Sequence, residues 1–155
     1  HIETMPDEML LRSIDDYLSA TGAPALTQAR RTALASALPL VRTGVKTLPQ
    51  LLDKANFILS DRPIQPDEKA AKALTGPARE LLAELTPRLQ NASWRREELE
   101  ALAGTLAGER EVGLGKIAQP LRAALAGRAV SPSVFDMMVS LGRDESIGRI
   151  RDAIG

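Results

Sequence analysis

The sequence predicts an all-α protein built as two linked helical bundles, and three observations lead there. Alanine and leucine dominate the composition while aromatic residues make up only 3%, a balance that favours helix over strand. Apolar residues recur three and four positions apart, and strict alternation never persists long enough for a half-buried strand. A segment with two prolines among turn formers, residues 60–68, interrupts the helical pattern once and divides it in two.

The elements follow in order. Residues 6–20 open on Pro-Asp-Glu, with acids at the positive end of a helix; Met9, Leu10, Ile14, Tyr17 and Leu18 share one face, and Thr21-Gly22 stops it. Residues 27–38 carry Ala29, Ala33, Leu34 and Ala37 at helical spacing, with Pro39 breaking or kinking the run. A third helix over 48–59 aligns Leu51, Leu52, Ala55, Ile58 and Leu59. The proline-rich stretch then places a boundary, giving a first subdomain of residues 1–62 and a second of 63–155. Beyond it, 67–74 reads as a short helix and 76–91 as a longer one with Leu81, Leu82, Leu85 and Leu89 inward. Ser93 is placed to cap a helix over 94–107 that buries Leu99, Leu102 and Leu106. Residues 113–127 form a stripe of Leu114, Ile117, Ala118, Leu121, Ala124 and Leu125. Ser131-Pro132 reads as an N-cap followed by proline at the first helical position of 132–141; Gly142 ends that helix, and Asp144 caps a last one through 153. Trp94, Tyr17, Phe57 and Phe135 are expected in the core.

Composition excludes several kinds of chemistry. There is no cysteine and a single histidine, His1, so disulfide scaffolds, thiol nucleophiles, multi-histidine metal sites and histidine-dependent triads are unavailable. No phosphate-cradling G-x-x-x-x-G-K-[ST] loop occurs, and Gly113-Leu-Gly-Lys116 lacks its spacing. The carboxylates of Glu97, Glu98 and Glu100 lie on one solvated helix rather than across a cleft. Charged residues interrupt every apolar run and no leader segment opens the chain, so a cytoplasmic protein without a membrane partner is expected. The chain opens on His1 without an initiator methionine, as part of a longer protein would.

The formal net charge is zero, with 20 basic and 20 acidic residues, and this argues against a uniformly basic polyanion binder. The charges are nevertheless uneven. No acid occurs from Tyr17 to Leu52, where Arg30, Arg31, Arg42 and Lys46 stand, nor from Val112 to Phe135, where Lys116, Arg122 and Arg128 stand. Two such windows can supply a surface that meets a polyanion, or they can be incidental to alanine-rich helices. In the second window Lys116, Gln119 and Arg122 lie three apart, opposite the leucine stripe, with Pro120 beside them. From the residues alone, a nucleic-acid-binding module and a helical protein-interaction or regulatory module both remain open.

A resemblance separates them. Gly115-Lys-Ile-Ala-Gln-Pro-Leu-Arg-Ala-Ala-Leu-Ala-Gly127, then Val130-Ser-Pro-Ser-Val-Phe135, then Leu141-Gly-Arg-Asp-Glu145 closely resemble, in order and spacing, the C-terminal end of bacterial glutamyl-tRNA synthetases. That family carries G-x-x-x-Q-P-L-R-x-A-L-T-G, [ST]-P-x-[LV]-F and L-G-[RK]-E. Leu40-Val-Arg-Thr-Gly-Val-Lys-Thr-Leu48 is similar to its L-x-x-E-R-x-K-T-L segment, while residues 61–113 match mainly in length and helical character. The resemblance implies an all-helical anticodon-binding cage whose partner is tRNA, not DNA. Its parent enzyme would use ATP and Mg²⁺ in a catalytic domain whose HIGH-like and KMSKS-like signatures are absent here, so the chain itself is expected to be inactive and to need no cofactor. The matching positions imply anticodon contacts from Gln119, Leu121, Arg122, Ser131, Pro132 and Val134; the basic residues Arg42, Lys46, Lys116 and Arg128 are expected to add phosphate contacts that do not depend on sequence. Members restricted to glutamate tRNA carry arginine where this chain has Gly44, and that arginine helps select C over G at the third anticodon base. The glycine implies a parent that also charges glutamine tRNA.

Overall fold

A computed structural model describes all 155 residues, and every regular element in it is helical. The chain divides into two compact units, His1–Leu59 and Ser60–Gly155. No helix is long and apolar enough to cross a membrane.

The first unit begins with α1 (Asp7–Ala20), which buries Leu10, Leu11, Ile14 and Leu18. Leu11 takes the inward place expected of Met9, which is 49% exposed, because the i, i+3, i+7 row running through Leu11, Ile14 and Leu18 centres the apolar stripe one position later. Tyr17 is only half-buried. Thr27 caps α2 (Gln28–Val41), accepting a hydrogen bond from the Arg30 amide. Pro39 neither ends nor breaks this helix. It stands on the exposed face and withholds one backbone donor, while the full burial of Leu38 and Val41 on either side of it holds the last turn against the core. The single helix expected over 48–59 is two, α3 (Leu48–Lys54) and α4 (Asn56–Leu59), interrupted at Ala55 with φ −89° and ψ 8°. Of the expected face, Leu51, Ala55 and Ile58 are buried and Leu52 and Leu59 half-buried, with Phe57 buried beside them; periodicity thus placed the face in part and was blind to a one-residue change of backbone.

In the second unit, Asp67 caps α5 (Glu68–Ala71) and Thr75 caps α6 (Gly76–Gln90) through their side chains. There follow α7 (Arg96–Glu109), α8 (Gly115–Ala126), α9 (Val134–Leu141) and α10 (Arg143–Ile154). Helix α6 packs on α7, α8 and α10; α8 in turn touches α5, α7, α9 and α10. The core is aliphatic, with Leu82, Leu85 and Leu89 meeting Leu99, Leu106, Ile117, Leu121, Leu125 and Ile150.

Three expected caps fall elsewhere. Helix α7 begins at Arg96 without a side-chain cap, because residues 93–95 form a tight turn in which the Arg95 amide donates to the Ser93 carbonyl. Trp94 therefore precedes the helix; its indole N–H donates to the Met138 carbonyl at 2.7 Å and the Arg143 guanidinium lies 5.3 Å from its ring centroid. Helix α9 starts at Val134 rather than 132, since the Ser131 hydroxyl is engaged with Arg122 and the Pro132 carbonyl instead of an amide of the first turn. Helix α10 starts at Arg143: Gly142, at φ +86°, turns the chain directly from α9 into α10, and Asp144 sits in the first turn, favoured there by the helix dipole.

Residues 60–67 are strapped onto the second unit. Arg149, 2% exposed, donates to the Leu125 carbonyl and to Glu145, both at 2.7 Å, and reaches the Ser60 carbonyl. Arg62 pairs with Asp152 at 2.8 Å and lies so close over Gly148 that a Cβ there would be 2.5 Å from its guanidinium. Gly127 ends α8 at φ +68°, and a Cβ on it would stand 2.8 Å from the Gln65 carbonyl. Glycine permits both the left-handed turn and this approach.

Removing the Arg149 guanidinium leaves the Leu125 carbonyl buried without its donor. Arg149→Ala is expected to cost about 3 kcal/mol, read by denaturant unfolding at Trp94, the sole tryptophan, with exposed Arg151→Ala within about 0.5 kcal/mol of wild type. Across α6 and α7, Arg110 pairs with Glu84 and Arg88 with Glu109. The hydrogen bonds from these arginines hold both carboxyls below the usual carboxylate range. A lowered folded-state pKa means fewer protons bound in the folded state, so this contribution is complete above the ordinary carboxylate range and lost as pH falls through the folded values. Replacing Glu84 and Glu109 by glutamine should flatten the fall of the melting temperature with acid, and the difference should shrink in high salt.

Candidate nucleic-acid interface

Helix α8 carries the candidate site because its two faces are chemically separate. Ile117, Leu121 and Leu125 are fully buried, which turns Lys116 and Gln119 to solvent and leaves Arg122 half-buried between. After Gly127 the chain returns toward α8. The Nε–H of Arg122 donates to the Ser131 hydroxyl at 2.9 Å, and that hydroxyl donates to the Pro132 carbonyl at 2.8 Å. One edge of the guanidinium is thereby held, while its terminal NH2 groups have no intramolecular partner. Such an arrangement presents a fixed planar fork to an acceptor pair on a ligand. Gln119 adds a donor and an acceptor, and Lys116 an ammonium with no ion-pair partner.

Of the six residues assigned to anticodon contact, the fold brings Gln119, Arg122, Ser131 and Pro132 to the surface, the first exposed and the others half-buried. Leu121 and Val134 are 0% and 2% exposed. Both lie in the core beneath this surface, because the leucine stripe and the first turn of α9 need them for packing, so they support the site from behind rather than line it.

The first unit alters the basic set. Arg42 is withdrawn from the expected phosphate contacts: its guanidinium binds Asp7 and the carbonyls of Ile2 and Met5, and its side chain is 12% exposed. Arg31 pairs with Asp15. The window that is acid-free in sequence is thus partly neutralised in space by carboxylates from α1 and the residue that opens it. Lys46 remains exposed without an ion-pair partner, and Arg128 is half-buried. Gly44 is exposed at φ +77°; its amide donates to Glu3 at 3.1 Å, and no atom lies within 4 Å of where its Cβ would stand. Space exists there for a side chain, but the left-handed backbone disfavours one.

Lys72, in the region where the motif resemblance is weakest, shares a cleft with Lys116 and Gln119. No spacing rule could have found it, since the grouping arises from α5 and α6 packing against α8.

Fold and surface together define an all-α module that presents a held guanidinium, a carboxamide and an unpaired lysine on one helix. Residues 9–154 match the family described as the anticodon binding domain, and the chain belongs to that family. Among curated proteins it is 55% identical to glutamate–tRNA ligase 1 of Dinoroseobacter shibae over 99% of this chain and 32% of that protein. It is 54% identical to glutamate–tRNA ligase 2 of Ruegeria pomeroyi over 99% of this chain and 33% of that protein. The chain therefore spans about a third of the length of these relatives. A crystal structure of a glutamate tRNA ligase from Elizabethkingia meningosepticum in complex with its amino acid is similar at a TM-score of 0.80 and 25% identity, covering 99% of this chain and 30% of that one.

Proposed function

We propose that this chain is the anticodon-reading part of a glutamate–tRNA ligase, working in the cytoplasm, with ATP and Mg²⁺ used by a catalytic domain elsewhere in the parent protein. The observation that carries the reading is the Arg122–Ser131 hydrogen bond, which fixes a guanidinium with unoccupied NH2 groups beside Gln119 on the outer face of α8. Sequence-specific RNA recognition targets unpaired loop bases through hydrogen bonds to their edges. Arg122 offers donors to base acceptors, Gln119 pairs with a mixed donor–acceptor edge, and Pro132 supplies an apolar contact. The cost of ordering the arginine is met before RNA arrives, because Ser131 already holds it. Leu121 and Val134 make the floor rigid. Lys116, Lys46 and Arg128 add attraction to phosphates that does not depend on sequence.

The absence of a side chain at Gly44 supports a second element of the proposal. No arginine fork is available there, and Arg42 is occupied by Asp7 and two carbonyls, so the third anticodon base is read without it and the parent loads glutamate onto both glutamate and glutamine tRNA.

Binding of the glutamate tRNA anticodon stem-loop, followed by fluorescence anisotropy, should exceed that of a loop with a scrambled anticodon. Arg122→Ala should lose about 1–3 kcal/mol, whereas Lys116→Ala should weaken both loops alike and lower the salt slope by about 1. Equal binding of the two loops, with Arg122→Ala indistinguishable from wild type, refutes the assignment. For the second element, the full-length parent is expected to charge both tRNAs; rejection of glutamine tRNA overturns it.

A further inference from the structure

A cleft of about 440 Å³ opens in the second unit where the α5–α6 corner faces the first half of α8. Its walls combine two chemistries. Leu81, Val112 and Pro120 make an apolar surface, while Lys72, Lys116 and Gln119 bring two ammoniums and a carboxamide. No lining residue is acidic, both lysines are exposed, and neither has an ion-pair partner. This contrasts with Arg88, Arg96 and Arg110 of the same unit, each paired with a carboxylate.

We propose that this cleft holds one unpaired nucleotide adjoining the anticodon triplet, with its phosphate between Lys72 and Lys116 and its base against Leu81, Val112 and Pro120. The proposal rests on the RNA-reading role of Arg122 and extends it to Lys72, Leu81 and Val112, outside the synthetase-like motifs. The volume falls within the range of about 300–1,000 Å³ typical of small-ligand sites. Charge complementarity selects an anion, and the apolar wall selects one that carries a flat, weakly hydrated body, which is the composition of a nucleotide. Position agrees. Lys116 lies about 9 Å from Arg122 along the helix axis, six residues at 1.5 Å each, so a strand engaged at Arg122 brings a nearby nucleotide over the cleft. No aromatic side chain lines the cleft. The base is therefore held by aliphatic contact instead of stacking, and the pocket tolerates different bases while requiring the phosphate.

The test uses the whole chain, with the anticodon stem-loop as probe and versions of it made abasic at either nucleotide flanking the triplet. Val112→Trp fills the cleft, Lys72→Glu reverses its charge, and Lys69→Glu makes the same reversal on α5 outside it. Val112→Trp and Lys72→Glu should each weaken binding about fivefold or more, and Lys69→Glu less than about twofold. One abasic loop should show a comparable loss, and that loss should not add to the loss from Val112→Trp. Lys72 is exposed, so its variant reports even if the tryptophan disturbs folding. The proposal is overturned if both cleft variants bind like wild type while Arg122→Ala loses affinity, an outcome that leaves anticodon reading intact. It is equally overturned if Lys69→Glu and Lys72→Glu weaken binding alike and neither abasic loop matters. Failure of the unaltered chain to bind the stem-loop defeats the reading on which the proposal rests.

Discussion

A single buried guanidinium ties together the parts of the second unit that carry the proposed recognition surface. Arg149 links the last turn of α8 through the Leu125 carbonyl, its own helix through Glu145, and the strap through Ser60. A charge in an aliphatic interior is tolerated only when its donors find acceptors. That requirement works in both directions, since the acceptors must also remain where the arginine needs them. The end of α8 is therefore held in place, and with it the point from which Gly127 sends the chain back toward Ser131.

The proposed recognition surface rests on this anchoring. Arginine at an exposed helical position ordinarily samples many rotamers. Here the returning loop places a hydroxyl beside Nε of Arg122 and removes much of that freedom. Leu121 and Val134, both buried, lie beneath the surface where α8 packs against α9. On the proposed reading, the motif thus mixes groups that would meet RNA with groups that hold them still, and fractional exposure separates the two.

Charge is used with similar selectivity. The chain is neutral overall, yet many of its arginines are drawn into internal ion pairs. Arg31, Arg42, Arg62, Arg88, Arg96, Arg110 and Arg149 all meet carboxylates, whereas Lys46, Lys72 and Lys116 meet none. The planar fork of arginine suits bidentate internal pairing, and the hydrated ammonium of lysine stays at the surface. The cations available to a polyanion are consequently fewer than a count along the sequence suggests. That favours readout by shape and hydrogen bonding over indiscriminate phosphate binding.

Helical class, the buried face of nearly every helix, and the motif residues around Gln119 and Arg122 were legible in the sequence, because 3.6-residue periodicity and fixed local spacing are properties of neighbouring residues. The same local signals misplaced the starts of α7, α9 and α10, and they joined α3 to α4. The expected set of free cations included Arg42, and the synthetase resemblance placed Leu121 and Val134 among the contacts, although periodicity already put Leu121 on the buried stripe of α8. The start of α7, the start of α10 and the break at Ala55 follow from local backbone turns, whereas the others were decided by partners distant in the chain. Arg42 is taken by carbonyls near the N-terminus, Ser131 by Arg122, and the Lys72 cleft is assembled by packing of α5 and α6 against α8. The sequence alone determined which groups the protein possesses and the helices that carry them. Only the tertiary structure decided which of those groups remain free to bind, because hydrogen bonds and burial are settled between residues that local order does not bring together.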